Sequence, residues 1–228
     1  MNIWAILIQK NNFLSFQKYY IIRVKDYFMP HLSKKQHQIL ETKNRLSKAL
    51  YLLVTERHYD KITIYHILEK AGVSRRTFYR YFNSKSDLMD YCLDNFIEGY
   101  YLQRDNFILA QQAEDIFLVT LNFMYYNREF IRSLVESGHF SLLTANFNDK
   151  SELIYKTMDL PWCVEDSSDH SIDYISKGLL GAYLNVLQFW LTKDEPERPE
   201  HIAKNLALLF SSISGYFDNA SQNSNKAN

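Results

Sequence analysis

The residue types best suited to bind an anionic polymer are concentrated between Thr63 and Lys85. Guanidinium groups and hydroxyls alternate there in one short segment, which contains Arg75, Arg76, Thr77, Tyr79, Arg80 and Tyr81. Guanidinium groups bind base edges through paired hydrogen bonds, and hydroxyls bind phosphate oxygens. The chemistry indicated by these residues is therefore hydrogen bonding and charge pairing with nucleic acid.

Two short helices and a glycine turn are predicted to position these side chains. Thr63 is suited to cap the first helix, with His66 three residues later in place of the favoured Glu or Gln. Gly72 is suited to the positive φ that ends this helix, and Ser74 is suited to cap the second. The apolar face of the pair consists of Ile64, Ile67, Leu68, Ala71, Phe78 and Phe82. This pattern predicts a helix-turn-helix whose second helix enters the DNA major groove.

The distribution of charge favours this interpretation over a basic helix face that is merely solvated. Residues 29–91 carry twelve Lys or Arg against six Asp or Glu, a net charge of +6. Residues 92–228 carry ten against nineteen, a net charge of −9. A basic module joined to an acidic one indicates that the first meets phosphate and the second does not. Tyr79 and Tyr81 retain a second interpretation, as packed rings with a solvated hydroxyl.

The chain as a whole is predicted to be helical, because apolar residues recur at three- and four-residue steps while Gly and Pro are rare. Helices are expected at about 35–57, 64–71, 75–82, 85–104, 114–126, 129–135, 140–147, 150–158, 169–191 and 199–217. We expect an all-α fold, in which a three-helix helix-turn-helix DNA-binding domain at 33–91 is joined to a helical-bundle ligand-binding and dimerisation domain at 92–218. Residues 219–228 are rich in Ser and Asn and are expected to be disordered.

Residues 1–32 are predicted to be an extension outside both domains. One interpretation is an over-extended start or a loosely packed arm, because Met29 offers an alternative first residue. The other is a basic arm that reaches the DNA minor groove through Arg23 and Lys25. The apolar run at residues 4–8 is too short for a membrane span or a secretory signal, so no membrane partner is expected.

The two cysteines, Cys92 and Cys163, provide no disulfide framework and are expected to be ordinary thiols of a reduced, cytoplasmic protein. The seven histidines are scattered without metal-ligand spacing. The sequence contains no phosphate-binding glycine loop and no glycine-flanked nucleophilic serine. We therefore expect no metal, no cofactor and no enzymatic activity.

The stretch from Ile67 to Leu88 resembles the DNA-binding signature of the TetR family of one-component transcriptional regulators. The resemblance is carried by Ala71-Gly72-Val73-Ser74, Thr77-Phe78-Tyr79-Arg80-Tyr81-Phe82 and Lys85-Ser86-Asp87-Leu88. It implies base contacts by Arg75 and Arg76. It also implies phosphate contacts by Thr63, Thr77, Tyr79, Tyr81 and Lys85. Residues 122–130 and 178–191 resemble one common subgroup of the family's regulatory domains.

A pair of helix-turn-helix units that reads a palindrome requires a two-fold dimer, which we expect the last two long helices to form. The predicted interface consists of Gly178, Gly181, Leu184, Leu187, Leu206, Leu209 and Phe210. The alternative is that these residues pack inside the protomer. The resemblance also implies a small-molecule pocket, for which the predicted lining is Phe123, Tyr126, His139, Trp162, Tyr183 and Trp190. The alternative, favoured for each of these six residues taken singly, is an ordinary core position.

Together these features favour a sequence-specific, ligand-responsive repressor of transcription that binds a palindromic operator as a homodimer. Its expected partners are double-stranded DNA, a second copy of the chain and an unidentified small-molecule effector. The alternative is a co-regulator of the same architecture that acts through a protein partner and does not bind DNA directly. A helical enzyme is disfavoured because the sequence offers no nucleophile paired with a base.

Overall fold

A computed structural model describes residues 33–101, 110, 112–150, 169–209 and 212, and over these residues the protein is helical with no β-strand. The α-helices are α1 (Lys34–Glu56), α2 (Ile64–Ala71), α3 (Arg75–Tyr81), α4 (Lys85–Tyr101), α5 (Ala113–Tyr126), α6 (Arg128–Glu136), α7 (Phe140–Asp149), α8 (Asp169–Leu191) and α9 (199–209). A single 3-10 turn, Tyr59–Lys61, lies between α1 and α2. The predicted all-α class is confirmed.

The predicted helices agree with the observed ones within two residues wherever both ends are described. The boundary predicted at 91/92 falls inside α4, so one continuous helix joins the two predicted domains. Several predictions lie outside the described residues, namely the extension at 1–32 with Arg23 and Lys25, the helix beyond Lys150, the tail at 219–228, and the side chains of Trp162, Cys163 and Phe210. None of the helices in the described part is long and apolar enough to cross a membrane.

Helix α1 is the element around which the amino-terminal half packs. Its start is fixed by a capping box, in which the Ser33 hydroxyl accepts from the Gln36 amide and the Gln36 side chain accepts from the Ser33 amide. Its inward stripe of Leu46, Leu50, Leu53 and Val54 is at most 3% exposed. This helix contacts α2 and α4, and it also contacts α6 in the carboxyl-terminal half.

The carboxyl-terminal half is held together by side chains that satisfy carbonyls at a helix end. Arg132 on α6 donates from Nε to the carbonyl of Leu191 at 3.0 Å and from Nη2 to the carbonyl of Lys193. The indole N–H of Trp190 donates to the carbonyl of Glu197 at 2.9 Å. The last carbonyls of a helix have no partner within the helix, so these bonds fix the end of α8 and the turn towards α9.

The turn between α2 and α3 depends on Gly72, which ends α2 in the left-handed conformation with φ 61° and ψ 40°. This confirms the predicted positive φ. The amide of Val73 then donates to the carbonyl of Leu68 at 3.1 Å. From α1, the Nη2 atom of Arg45 donates to the carbonyls of Ala71 at 2.6 Å and Gly72 at 3.1 Å. A charged donor from a third helix therefore stabilises the end of α2.

We expect Gly72→Ala to lower the free energy of unfolding by about 2 kcal/mol or more. An L-residue in the left-handed region costs roughly 1–2 kcal/mol. An added Cβ would also lie 3.1 Å from Nη2 of Arg45, so the guanidinium would have to move and weaken its two hydrogen bonds. Urea-unfolding midpoints of the variant and the wild type measure this loss.

Gly138→Ala is the matched control, because Gly138 also has a positive φ, of 74°, but its added Cβ meets no heavy atom within 4 Å. Only the backbone cost of roughly 1–2 kcal/mol applies there. An equal or smaller loss for Gly72→Ala than for Gly138→Ala would contradict the role assigned to Arg45.

Candidate nucleic-acid interface

Thr63 caps the start of α2 as predicted. Its hydroxyl accepts from the amide of His66 at 3.3 Å, and Nδ1 of His66 accepts from the amide of Thr63 at 3.2 Å. His66 thus takes the position that Glu or Gln usually occupies in a capping box. The amide groups and the helix dipole at this end favour an anion, as the predicted phosphate contact requires.

Helix α3 is attached to the core by two aromatic rings four residues apart. Phe78 is fully buried and Phe82 is 3% exposed, which confirms that both are core residues. Ser74 caps the helix, since its hydroxyl accepts from the amide of Thr77 at 3.2 Å. The hydroxyls of Ser74 and Thr77 are also 2.9 Å apart and share a hydrogen bond. The amino-terminal turn of α3 is therefore fixed from both its polar and its apolar side.

The outer surface of α3 presents its cations to solvent. Arg75, Arg76 and Arg80 are all exposed, and Tyr79 is 45% exposed. The guanidinium of Arg75 lies over the ring of Tyr79, 5.6 Å from its centroid. Tyr81 is partly buried and packs against the core. The helix can therefore present arginine side chains to a ligand without disturbing the packing that holds it.

The corner between α3 and α4 is closed by polar side chains. The Ser84 hydroxyl accepts from the amide of Asp87 at 3.0 Å, as the predicted cap requires. The Asp87 carboxylate accepts from the amide of Asn83 at 2.8 Å, one residue earlier than in a standard capping box. This pair of bonds fixes the direction in which α4 leaves α3.

Lys85 has a structural role that the sequence did not indicate. Its Nζ donates to the carbonyls of Tyr59 at 2.8 Å and Ile62 at 2.9 Å, and it lies 4.0 Å from the centroid of the Tyr59 ring. Desolvation lowers the pKa of Lys85, and burial raises the pKa of Tyr59 to about 12. An ammonium has three donors, so one remains after these two bonds. The phosphate contact predicted for Lys85 must therefore use this donor or the backbone amide.

The seven predicted DNA-contact residues lie on three consecutive elements of the helix-turn-helix. Arg75, Arg76, Thr77, Tyr79 and Tyr81 lie on α3, while Thr63 and Lys85 lie at the starts of α2 and α4. Their individual base and phosphate contacts stay predictions. Two residues of this surface were missed from the sequence. Arg45 acts across 26 residues of chain, which no local pattern indicates, and Tyr65, at the second position of α2, is 69% exposed.

Two of the predicted pocket residues belong to separate aromatic groups. Phe123 is 8% exposed and lies 5.1 Å from Phe96 and 5.7 Å from Tyr100, measured between ring centroids. Trp190 is 1% exposed and stacks on Tyr125 at 5.7 Å. Each ring already has an aromatic partner on a neighbouring helix, as core rings usually do.

The other described pocket residues lie on α5, on α8 and in the turn before α7. His139 faces the amino-terminal half, with its Nε2 atom 3.4 Å from a carboxylate oxygen of Asp60 and its ring edge-on to Tyr59 at 4.8 Å. Tyr126 is 37% exposed, and burial raises the pKa of Tyr183. The effector pocket stays a prediction.

The interface predicted on the last two helices needs a correction at three positions. Leu184, Leu187 and Leu206 are at most 3% exposed within a single protomer, so these side chains have no surface left for a second copy. The alternative interpretation, packing inside the protomer, applies to them. Periodicity shows that such residues face an apolar neighbour, but it does not show whether that neighbour belongs to the same chain.

Other positions on the same helices do carry exposed apolar surface. Leu209 is 45% exposed, and an added Cβ at Gly178 or Gly181 would meet no heavy atom within 4 Å. Two residues not predicted from the sequence, Phe189 and Leu208, are 69% and 59% exposed. Exposed apolar side chains mark an association surface when they form one contiguous patch.

The Cys92 thiol and the grouping of possible metal ligands are the two features of the described residues that bear on chemistry. Cys92 is fully buried, and burial raises the pKa of its thiol to about 12, so the sulfur remains protonated and donates to the carbonyl of Ser47 at 3.7 Å. It is an ordinary core thiol, as predicted. Over the described part of the chain, no group of His, Cys, Asp or Glu side chains is arranged to hold a metal ion.

Comparison with known proteins matches each half of the chain to a protein-family model of transcriptional regulators. The model described as "Bacterial regulatory proteins, tetR family" matches residues 48–92, and the model described as "Transcriptional regulator C-terminal region" matches residues 111–212. The first contains the capped helices and the glycine turn described above. The two matches do not overlap, and together they cover more than half of the chain.

One curated relative is an uncharacterized HTH-type transcriptional regulator, YxbF, from Bacillus subtilis (strain 168). It is 24% identical over 179 residues, which are 73% of this chain and 44% of the relative. The chain therefore spans less than half the length of that relative.

Two solved structures share the fold. The dihydroxyacetone kinase operon activator DhaS has a TM-score of 0.55 and 17% identity over 75% of this chain and 95% of its own. A TetR transcriptional regulator from Streptococcus agalactiae 2603V has a TM-score of 0.53 and 22% identity over 77% and 96%. The capped helix-turn-helix, the all-helical fold and the matches to both halves agree, and the chain belongs to the TetR family of DNA-binding transcriptional regulators.

Proposed function

We propose that this protein is a ligand-responsive repressor that binds a palindromic operator as a homodimer. The observation that carries the DNA-binding part is the pairing of exposed Arg75 and Arg76 in the first turn of α3 with a buried anchor, Phe78, on its other side. A helix held in this way can enter a major groove without unpacking the domain. Arginine in that position binds guanine through two hydrogen bonds.

Backbone contacts at the flanking helices would set the register of α3 on DNA. Thr63 and Lys85 lie at the starts of α2 and α4, where helix dipoles favour phosphate. Thr77, Tyr79 and Tyr81 supply hydroxyls from α3 itself. Contacts of this kind position a protein on the duplex, while base contacts select the sequence.

Dimerisation is proposed through the exposed apolar residues of α8 and α9. Phe189, Leu208 and Leu209 present apolar surface, and Gly178 and Gly181 leave room for the close approach of a second helix. Two recognition helices related by a two-fold axis would meet half-sites about 34–36 Å apart, one turn of the duplex. The palindromic operator follows from this symmetry.

The effector is proposed to act by shifting the population between two dimer states that differ in the separation of the recognition helices. The carboxyl-terminal half supplies aromatic side chains such as Phe123 and Tyr183, which suit a flat or apolar ligand. One structural neighbour is named an operon activator. A reporter gene placed behind the operator decides between repression and activation.

The second candidate is a co-regulator that acts through a protein partner. The exposed arginines of α3 and the net charge of +6 over residues 29–91 favour DNA over this alternative. Selection of bound duplexes from a random library separates the two, because a co-regulator of this kind would enrich no sequence.

We expect the double variant Arg75→Ala/Arg76→Ala to lose specific DNA binding by about 30-fold or more at fixed salt. Each arginine–guanine contact contributes roughly 1–3 kcal/mol of discrimination. The measurement is a gel shift with the selected duplex. Both side chains are exposed, so the circular dichroism and thermal midpoint should match those of the wild type.

The control is Arg198→Ala/Lys204→Ala, which also removes two exposed positive charges but does so in the carboxyl-terminal half. This control should bind within about twofold of the wild type, because exposed charges far from the duplex are screened by salt. Equal affinity of the wild type and the Arg75/Arg76 variant would refute the base-contact assignment.

We expect the wild type to sediment at about twice its 27.1-kDa mass, and Phe189→Glu/Leu209→Glu to sediment as a monomer. Two carboxylates in an apolar interface would lose their hydration without gaining a partner. Tyr65→Glu is the control, since Tyr65 is equally exposed but lies on α2. A monomeric wild type, or a dimeric Phe189/Leu209 variant, would exclude this interface.

A further inference from the structure

A buried hydrogen bond joins α1 of the helix-turn-helix half to the junction of α5 and α6. Tyr51, on α1, is 4% exposed, and its hydroxyl donates to the side-chain oxygen of Asn127 at 2.9 Å. Its ring stacks on Phe130, with 4.5 Å between the centroids and 18° between the planes. Burial raises the pKa of Tyr51, so the hydroxyl keeps its proton and remains a donor. Both contacts of Tyr51 thus reach from α1 to residues at and beyond the end of α5.

Asn127 lies at the point where the chain changes from α5 to α6. Its backbone, with φ −103° and ψ 16°, departs from helical geometry, and its side-chain amide donates to the carbonyl of Phe123 at 2.7 Å. The residue is 5% exposed. We call this feature, comprising Asn127 with the last turn of α5 and the first turn of α6, the α5–α6 joint. Its shape and the position of Tyr51 are linked, because moving either one breaks a buried bond.

A second contact between the halves is weaker. His139 approaches Asp60, with 3.4 Å between Nε2 and the carboxylate oxygen, but the Asp60 side chain is 71% exposed. Ion pairs in such an exposed setting contribute about 0–1 kcal/mol. A buried polar group that loses its partner costs about 1–3 kcal/mol. Of these two contacts, the Tyr51 bond imposes the stronger constraint. It acts beside α4, which runs continuously between the halves and packs Phe96 against Phe123 and Phe130.

We infer that Tyr51 is the positioning residue through which the helix-turn-helix and the α5–α6 joint bias each other. DNA held by α2, α3 and α4 restricts α1, which packs on α2 and α4. Tyr51 transfers that restriction to the joint through its hydrogen bond to Asn127. The same path operates in reverse when an effector displaces α5 or α6, because coupling between two sites is reciprocal. This coupling rests on the DNA binding proposed above. It places the link between the helix-turn-helix and the α5–α6 joint at Tyr51.

Reciprocity allows a test that needs no effector. The probe is the duplex that the wild type selects from a random library, and the readout is amide hydrogen exchange over residues 113–136 with and without this duplex. These residues belong to α5 and α6 and are not among the proposed DNA contacts. In the wild type we expect the duplex to slow their exchange by about fivefold or more, the lower end of typical coupling between sites.

Tyr51→Phe is the test variant, since it keeps the ring on Phe130 and removes the hydroxyl. Tyr91→Phe is the matched control. The Tyr91 hydroxyl donates to the side-chain oxygen of Asn44 at 2.8 Å, so this variant also breaks one tyrosine–asparagine bond of α1. That bond joins α1 to α4 and does not touch the α5–α6 joint. A purely structural loss would appear in both variants.

We expect Tyr51→Phe to bind the duplex and to lose the DNA-dependent protection of residues 113–136, while Tyr91→Phe keeps it. Full protection in Tyr51→Phe, or equal loss in both variants, would overturn the inference. A wild type that binds the duplex without slower exchange at these residues would also overturn it while leaving the proposed function intact. A wild type that enriches no duplex would overturn both.

Discussion

Helix α3 has seven residues, and a helix of that length has no stability of its own in water. Its position depends on what holds its two ends and one face. Arg45 and Gly72 fix the turn before it, Phe78 attaches its face to the core, and Asn83 and Asp87 close the corner after it. The rest of the domain therefore fixes the orientation of α3, and with it the direction in which the exposed arginines of α3 point.

Helix α1 connects the helix-turn-helix to the rest of the molecule through three side chains. It supplies Arg45 to the α2–α3 turn, Asn44 to the bond with α4, and Tyr51 to the contact with the carboxyl-terminal half. These three residues lie within two turns of one helix and point to three different neighbours. The helix-turn-helix domain and the domain proposed to bind the effector thus both contact α1, and the continuous helix α4 joins them.

Local features of this fold could be predicted from the sequence, and long-range ones could not. The caps at Thr63 and Ser74 and the left-handed Gly72 depend on residues within four positions, so their residue types are enough to predict them. The bonds of Arg45 and Lys85 join residues 23 to 27 positions apart, and no periodic pattern records such pairings. The same limit explains Leu184 and Leu187, whose spacing indicates an apolar neighbour but not which chain supplies it.

Helix α6 is short, and side chains fix it to two neighbouring helices. Phe130 stacks on Tyr51 of α1, while Arg132 binds the carbonyl at the end of α8. We therefore expect substitutions on these two sides to be coupled during evolution. A change of ring at position 51 or 130 that rotates α6 would displace the guanidinium from the end of α8, and a compensating change would be selected there. Across relatives that keep this arrangement, we expect positions 51, 130 and 132 to vary together.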